Sequence, residues 1–179
     1  MIKKILQLLN REVPTDVLIK RGMTVGNNFN RQQGCYIDPT HCYLIEIGDD
    51  VTFSIRVVLL SHDASMKKTN GYTKLGKIKI GNHCFIGANS TILPGVEIGD
   101  NSIIGAGSVV VNCIPEGVVA AGCPAKVLGS VTEFKEKHDI AISNSTKMFG
   151  ADYRMGNGLN DEKIKEIKKY TEQGFVYID

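Results

Sequence analysis

The stretch Ile80-Gly81-Asn82-His83-Cys84-Phe85-Ile86-Gly87-Ala88-Asn89-Ser90-Thr91-Ile92-Leu93-Pro94-Gly95-Val96-Glu97-Ile98-Gly99-Asp100-Asn101-Ser102-Ile103-Ile104-Gly105-Ala106-Gly107-Ser108-Val109-Val110 counts in sixes. An aliphatic residue opens each hexad, at Ile80, Ile86, Ile92, Ile98, Ile104 and Val110. Glycine follows at Gly81, Gly87, Gly99 and Gly105, and a small or branched residue stands four places on, at Ser90, Val96, Ser102 and Ser108. Neither a 3.6-residue helix nor a heptad stays in phase with such a run, whereas a short fixed period is the mark of a solenoid. Three hexads make one triangular turn of 18 residues, with a short strand on each side. The first position then points inward, and Ile80 stacks on Ile98 and Ile86 on Ile104. Parallel strands pair between successive turns. The second-position glycine is expected to supply corner backbone angles closed to other residues.

Outward from this run the pattern loosens. Val25-Gly26-Asn27-Asn28 and Ile47-Gly48-Asp49-Asp50 share the same opening, and Ile47, Phe53 and Leu59 keep the step of six. The phase then fails: Leu59 to Ile80 is 21 residues, three more than a whole turn. Lys67-Lys68-Thr69-Asn70-Gly71-Tyr72-Thr73-Lys74-Leu75-Gly76-Lys77 is polar and basic, and it reads as a loop over residues 64–78 thrown out of the coil. Long loops in compact domains are usually functional, and His62 stands just before this one. A solenoid needs caps at its open ends. Ile2, Ile5, Leu6, Leu9 and Val13 fall at helical spacing, so residues 1–24 read as a capping helix ending at Pro14, followed by a short connection. With Lys3 and Lys4, that helix also has the makings of weak contact with a membrane surface. Residues 25–129 form the repeat domain and 130–179 a C-terminal extension. There, Asp161 to Gln173 reads as a helix with Asp161 as N-cap, and Phe175 to Ile178 as a strand.

Composition narrows the function classes. A chain of 179 residues is one domain by size with a small extension. A net charge of +2 lacks the basic excess of a nucleic-acid partner. Nineteen glycines and no tryptophan suit a narrow coil with tight corners. The five cysteines, Cys35, Cys42, Cys84, Cys113 and Cys123, show no CxxC pair and are odd in number, so reduced, mostly buried thiols are expected. No secretory leader or membrane-spanning run is read, and a cytoplasmic location is the expectation.

The run Ile80 to Val110, extended by Ile114-Pro115 and Ala120-Ala121-Gly122-Cys123-Pro124-Ala125-Lys126-Val127, resembles the hexapeptide-repeat acyltransferases. Within them it is most similar to the maltose, galactoside and serine O-acetyltransferases and the capsular or lipopolysaccharide sugar O-acetyltransferases. The resemblance covers about residues 25 to 130. It implies a mainly β fold, a left-handed parallel β-helix, assembled as a homotrimer with acetyl-CoA in grooves between neighbouring coils and with no metal. It also implies O-acetylation of a sugar or glycan hydroxyl in cell-surface polysaccharide metabolism, with His62 as general base. Imidazole suits that task, since a hydroxyl attacks a thioester poorly unless its proton is removed. Glu46, about one coil earlier, is the expected orienting acceptor for His62, in preference to Asp63, because successive strand residues face opposite ways. Asp38 is the expected contact to the acceptor. Carried over by position, the CoA groove uses Ala88, Ala106, Val111, Asn112, Lys126 and Phe85. Where similar enzymes have Thr-Lys this chain has Val111-Asn112, which leaves Lys126 as the main cation for the phosphates.

Other readings stand beside this one. An amino-sugar N-acetyltransferase and a serine O-acetyltransferase share the chemistry, but the serine enzymes usually carry a large helical N-terminal domain. Carbonic anhydrases of the same fold bind zinc through three histidines, two of them close in sequence. Here His41, His62 and His83 are each 21 apart.

Overall fold

The computed structural model describes residues 12–145 and 147–179. The helix expected over residues 2–13 lies, up to Arg11, outside the described residues. Pro14 does not end the cap. Its carbonyl accepts the N–H groups of Val17 and Leu18 (3.0 and 3.1 Å) and opens a further helix, α1 (Thr15–Lys20), whose Leu18 is fully buried. Glu12 accepts the Gly34 N–H (2.7 Å), and Arg31 donates to the Val13 carbonyl (2.5 Å), so this segment fastens onto the first coil.

The chain then winds as a three-sided parallel β-helix. Face one stacks β1 (Thr24–Val25), β4 (Ile45–Ile47), β9 (Ile78–Ile80) and β12 (Glu97–Ile98). Face two stacks β2 (Asn30–Arg31), β5 (Thr52–Phe53), β10 (Phe85–Ile86), β13 (Ile103–Ile104) and β15 (Val118–Gly122). Face three stacks β3 (Tyr36–Ile37), β6 (Val58–Leu59), β11 (Thr91–Ile92) and β14 (Val109–Val110). Between these strands the chain makes one further hairpin, β7 (His62–Asp63) against β8 (Lys74–Leu75), outside all three faces. Ile80 pairs with Ile98 and Ile86 with Ile104, as the hexad count requires. The stacked first-position residues Ile80, Ile86, Ile92, Ile98, Ile104 and Val110 are all buried, and each such side chain contributes on the order of 1.5–3 kcal/mol. The fifth position is buried as well: Ser90, Ser102 and Ser108 turn inward and satisfy their hydroxyls on backbone carbonyls of Gly105 and Pro115. After β15 the chain reverses through the cis Cys123–Pro124 bond into the antiparallel β16 (Ala125–Ser130).

The corner chemistry differs from the expectation. Left-handed backbone belongs to the fourth position, at Asn28, Asp50, Arg56, His83, Asn89 and Asn101 (φ 54 to 58°) and at Gly34, Gly95 and Gly107. Asparagine, aspartate and histidine tolerate this region better than most residues, which accounts for His83 at a place where an apolar residue would do no good. Second-position glycine serves close approach instead. A Cβ on Gly99 would lie 2.4 Å from the Glu116 nitrogen, and one on Gly87 2.4 Å from the Ala106 nitrogen.

The repeat breaks twice, not once, and both times at the corner between faces three and one. Val25 pairs with Ile47, 22 residues on, against 18 for Ile80 and Ile98: an excess of 4. Ile47 pairs with Ile80, 33 residues on, an excess of 15. The first insertion holds Asp38 to Leu44, including a short 3-10 turn at Cys42–Leu44. The second is the extruded loop, which carries the β7–β8 hairpin and the single turn α2 (Lys67–Asn70) and ends before Ile78.

The described chain divides into two compact units, the first closing at Val131 and the second Thr132–Asp179. The second holds most of α3 (Val131–Ser143), β17 (Met148–Phe149) paired in parallel with β18 (Tyr177–Ile178), and α4 (Asp161–Thr171). The cap of α4 is Asn160, not Asp161: its side chain accepts the Lys163 N–H (2.9 Å). Buried Phe149 stacks on Tyr153 and Tyr170, and Tyr153 donates to Glu166 (2.6 Å), a bond that pushes the phenol up to about 12.

Opposite outcomes are expected for two neighbouring corner substitutions. Gly99→Ala should cost about 1–3 kcal/mol, because the new methyl meets backbone that cannot move aside. Asn101→Gly, at φ 56°, should cost under about 1 kcal/mol. Urea unfolding of both variants checks the pair; equal losses would contradict this division of labour.

Candidate active site

Stacked insertions make the site. Tyr36–Ile37 pair with Val58–Leu59, so the residues leaving face three in the first coil lie against those leaving it in the second. The Asp38 N–H donates to the Leu59 carbonyl (3.0 Å), and the Asp38 side chain is fully buried beneath Ser61 and His62. Asp38 Oδ2 accepts from His62 Nδ1 (2.5 Å) and from Ser61 Oγ (2.7 Å), while Oδ1 accepts the N–H groups of Thr40 (3.0 Å) and His41 (3.4 Å). Four donors on two oxygens require the ionised form, which is an acceptor only. Burial pushes the Asp38 carboxyl up, but the bonds from His62, Ser61 and the Thr40 N–H outweigh it and hold the group below the ordinary carboxylate range.

That arrangement settles a tautomer. An ionised Asp38 takes the Nδ1 proton of His62, which leaves the Nε2 lone pair as the free end of the ring. The His62 side chain is 31% exposed, open enough for a ligand and seated enough to hold its direction. His62 also opens β7, and its pairing with Leu75 in β8 ties it to the root of the extruded loop. Gly76 donates its N–H to the Ser61 carbonyl (3.0 Å) and presses against the Pro94–Gly95 corner, where a Cβ would come within 2.4 Å of the Gly95 nitrogen.

Two expected roles are corrected. Glu46 does not orient His62: it projects outward from face one and pairs with Lys77 (2.7 Å), because its neighbours in register are Thr24 and Lys79. Asp38 does not face an acceptor, since its carboxylate is wholly buried; it is the group that holds His62. Asp63 turns away and accepts the Ser65 N–H (2.8 Å). His41 and Ser61 are the site residues the sequence reading left out. Their only signal was the extra spacing between Ile37 and Ile47, which the repeat count had not separated from ordinary looseness.

The expected CoA-contacting residues fall at different places on one coil. Phe85 and Lys126 lie exposed on the sheet of face two, and Ala88 and Ala106 at the corner between faces two and three. Val111 and Asn112 leave face three at the His62 corner. The Ala88 carbonyl already accepts the Gly107 N–H (2.7 Å). His83 sits apart from the histidine pair, 3.5 Å from Asp50, so the three histidines do not converge. Among the described residues no group of three His, Cys, Asp or Glu side chains is placed to hold a metal ion.

Known proteins of the same construction match this chain. The model of the hexapeptide repeat of succinyl-transferase matches residues 77–112. Protein CapG of Staphylococcus aureus is 36% identical over 182 residues, covering 98% of this chain and 99% of that protein. The maltose O-acetyltransferase of Clostridium difficile superposes with a TM-score of 0.53 at 30% identity, over 72% of this chain and 83% of that one. A galactoside acetyltransferase solved in complex with coenzyme A gives 0.54 at 30% identity, over 75% and 80%. With a coil built on parallel hexads, an extruded loop at one corner and relatives matching along almost its whole length, the chain belongs to the hexapeptide-repeat acyltransferases and has their left-handed parallel β-helix.

Proposed function

We propose that this protein transfers the acetyl group of acetyl-CoA to a sugar hydroxyl, with His62 as general base. The single observation that carries the mechanism is the Asp38–His62 pair at 2.5 Å beneath an open corner. His62 Nε2 takes the proton of the acceptor hydroxyl as its oxygen attacks the thioester carbonyl. The tetrahedral intermediate then collapses, the carbon–sulfur bond breaks, and His62 returns the proton to the departing CoA sulfur. No acyl-enzyme is formed. Asp38 keeps the ring in the useful tautomer and stabilises the imidazolium of the intermediate, as the carboxylate of a catalytic triad does.

The donor and the acceptor class are supported by the relatives, which include a coenzyme A complex and enzymes named for maltose and galactoside. Assembly is supported by the outward side chains. Glu46, Lys79 and Glu97 make face one charged, with Lys79 paired to Glu97 (2.7 Å). Tyr36, Val58, Phe85, Ile103 and Val109 make faces two and three largely apolar, and exposed apolar faces of that extent suit burial against further copies. A homotrimer with CoA in the seams would bring the His62 corner of one protomer to the Phe85 and Ala88 side of the next, with Ala106, Val111, Asn112 and Lys126 along the groove.

Activity is checked by CoA release from acetyl-CoA against a panel of sugars, nucleotide-sugars and serine. Transfer to a sugar hydroxyl is the expected outcome. His62→Ala should lower it at least ~10²-fold with the fold intact, and near-normal turnover in that variant would remove His62 from the mechanism.

Asp38 also couples stability to pH. Its carboxyl sits lower in the folded chain than its ordinary value of 3.8, so its contribution is complete above that value and is lost as pH falls through the folded one. Asp38→Asn should cost about 1–3 kcal/mol at pH 7, since it leaves buried partners unmatched. The gap from wild type should close as urea titrations move below about pH 3.8. A gap that widens in that range would contradict the assignment.

A further inference from the structure

A second imidazole stands at the His62 corner, and general-base catalysis does not require it. His41 is fixed by the groups that fix His62. Its N–H donates to Asp38 Oδ1 (3.4 Å), and its carbonyl accepts from Ser61 Oγ (3.1 Å) and from the Leu44 N–H (3.0 Å). Its ring is held in turn, with Nδ1 2.9 Å from the Tyr43 hydroxyl. The two ring centroids lie 5.3 Å apart at 66°. Both Nδ1 atoms are therefore engaged, one by Asp38 and one by Tyr43, which leaves Nε2 as the free nitrogen of each ring. Among the described residues neither Nε2 has a hydrogen-bond partner. When the Tyr43 O–H donates into Nδ1, His41 carries its proton on Nε2 and becomes a donor beside the His62 lone pair. Two rings this close can each reach a neighbouring oxygen of one small ligand through N···O bonds of about 2.9 Å.

We propose that His41 is a second acceptor-binding residue, donating from Nε2 to the oxygen vicinal to the hydroxyl that His62 deprotonates, so that the site selects a vicinal diol. This rests on the sugar acetyl-transfer reading and names its acceptor more closely. The four-residue insertion in the first coil then has a use beyond delivering Asp38: it delivers base-holder and acceptor-holder on one short segment, Asp38 to Tyr43.

The test is steady-state acetyl transfer from acetyl-CoA to methyl α-D-glucopyranoside, methyl β-D-galactopyranoside and methyl α-D-mannopyranoside, and to the monodeoxy forms of whichever is used best. In His41→Ala the KM for that hexoside should rise about tenfold or more, with the KM for acetyl-CoA unchanged. Removing the neighbouring hydroxyl from the acceptor should cost the wild type a similar factor and His41→Ala almost nothing further. His41→Gln, which restores an N–H donor, should recover part of the loss. If thermal melting shows that His41→Ala is unfolded, Tyr43→Phe carries the same test, with a several-fold rise in acceptor KM expected. Transfer that is lost in His62→Ala but keeps its acceptor KM within twofold in the folded His41 or Tyr43 variant overturns the diol proposal and leaves the general base standing. A wild type that acetylates none of the hexosides overturns the sugar reading and this proposal with it.

Discussion

Every strand of this coil takes its hydrogen bonds from the turn above and the turn below, so the register between turns cannot slip on any face. Ile80 must meet Ile98, and Ile86 must meet Ile104, or whole rows of backbone groups lose their partners. Extra residues can leave only at a corner. The chain holds two insertions, and both leave where face three meets face one. The site is a consequence of that exclusion: the regular faces are filled with packed aliphatic side chains, and the ejected segments are the only places where polar side chains can be gathered beside the coil.

What they gather is a buried carboxylate with four donors. Such a group is expensive to bury alone and stable when every lone pair is matched. Asp38 is matched by His62 and Ser61 on one oxygen and by two backbone N–H groups of its own turn on the other. The same network that makes the carboxylate tolerable fixes the direction of His62 and the backbone of His41. Stability and preorganisation are here one set of bonds, which is why the base can stand partly exposed at a corner without losing its aim.

The glycines divide their labour in a way that composition alone conceals. Second-position glycines let one turn approach the backbone of the next, whereas the left-handed fourth position is filled by asparagine, aspartate, histidine or glycine. The Asn27, Asp49, Asn82 and Asp100 side chains at the intervening third position reach the backbone of the adjoining turn and bind the corner into a polar ladder. A turn therefore carries its own instructions for stacking, and repetition of those instructions gives the prism its length.

The fold was legible because its causes are local and repeated. A six-residue period, aliphatic first positions and small fifth positions recur often enough to name a solenoid, and the resemblance to a known family supplied the handedness that spacing cannot. His62 was legible as well, since it stands at the visible lapse in the count. Its partner was not. Counting back one coil pointed to Glu46, yet a register of 22 rather than 18 lays Asp38 against the His62 corner and sends Glu46 outward to Lys77. The sequence by itself determined that the chain would coil and where the coil would be interrupted. Only the stacking of two separate insertions at one corner decided which residues meet there, because that depends on how many residues each turn expels and not on any motif within either turn.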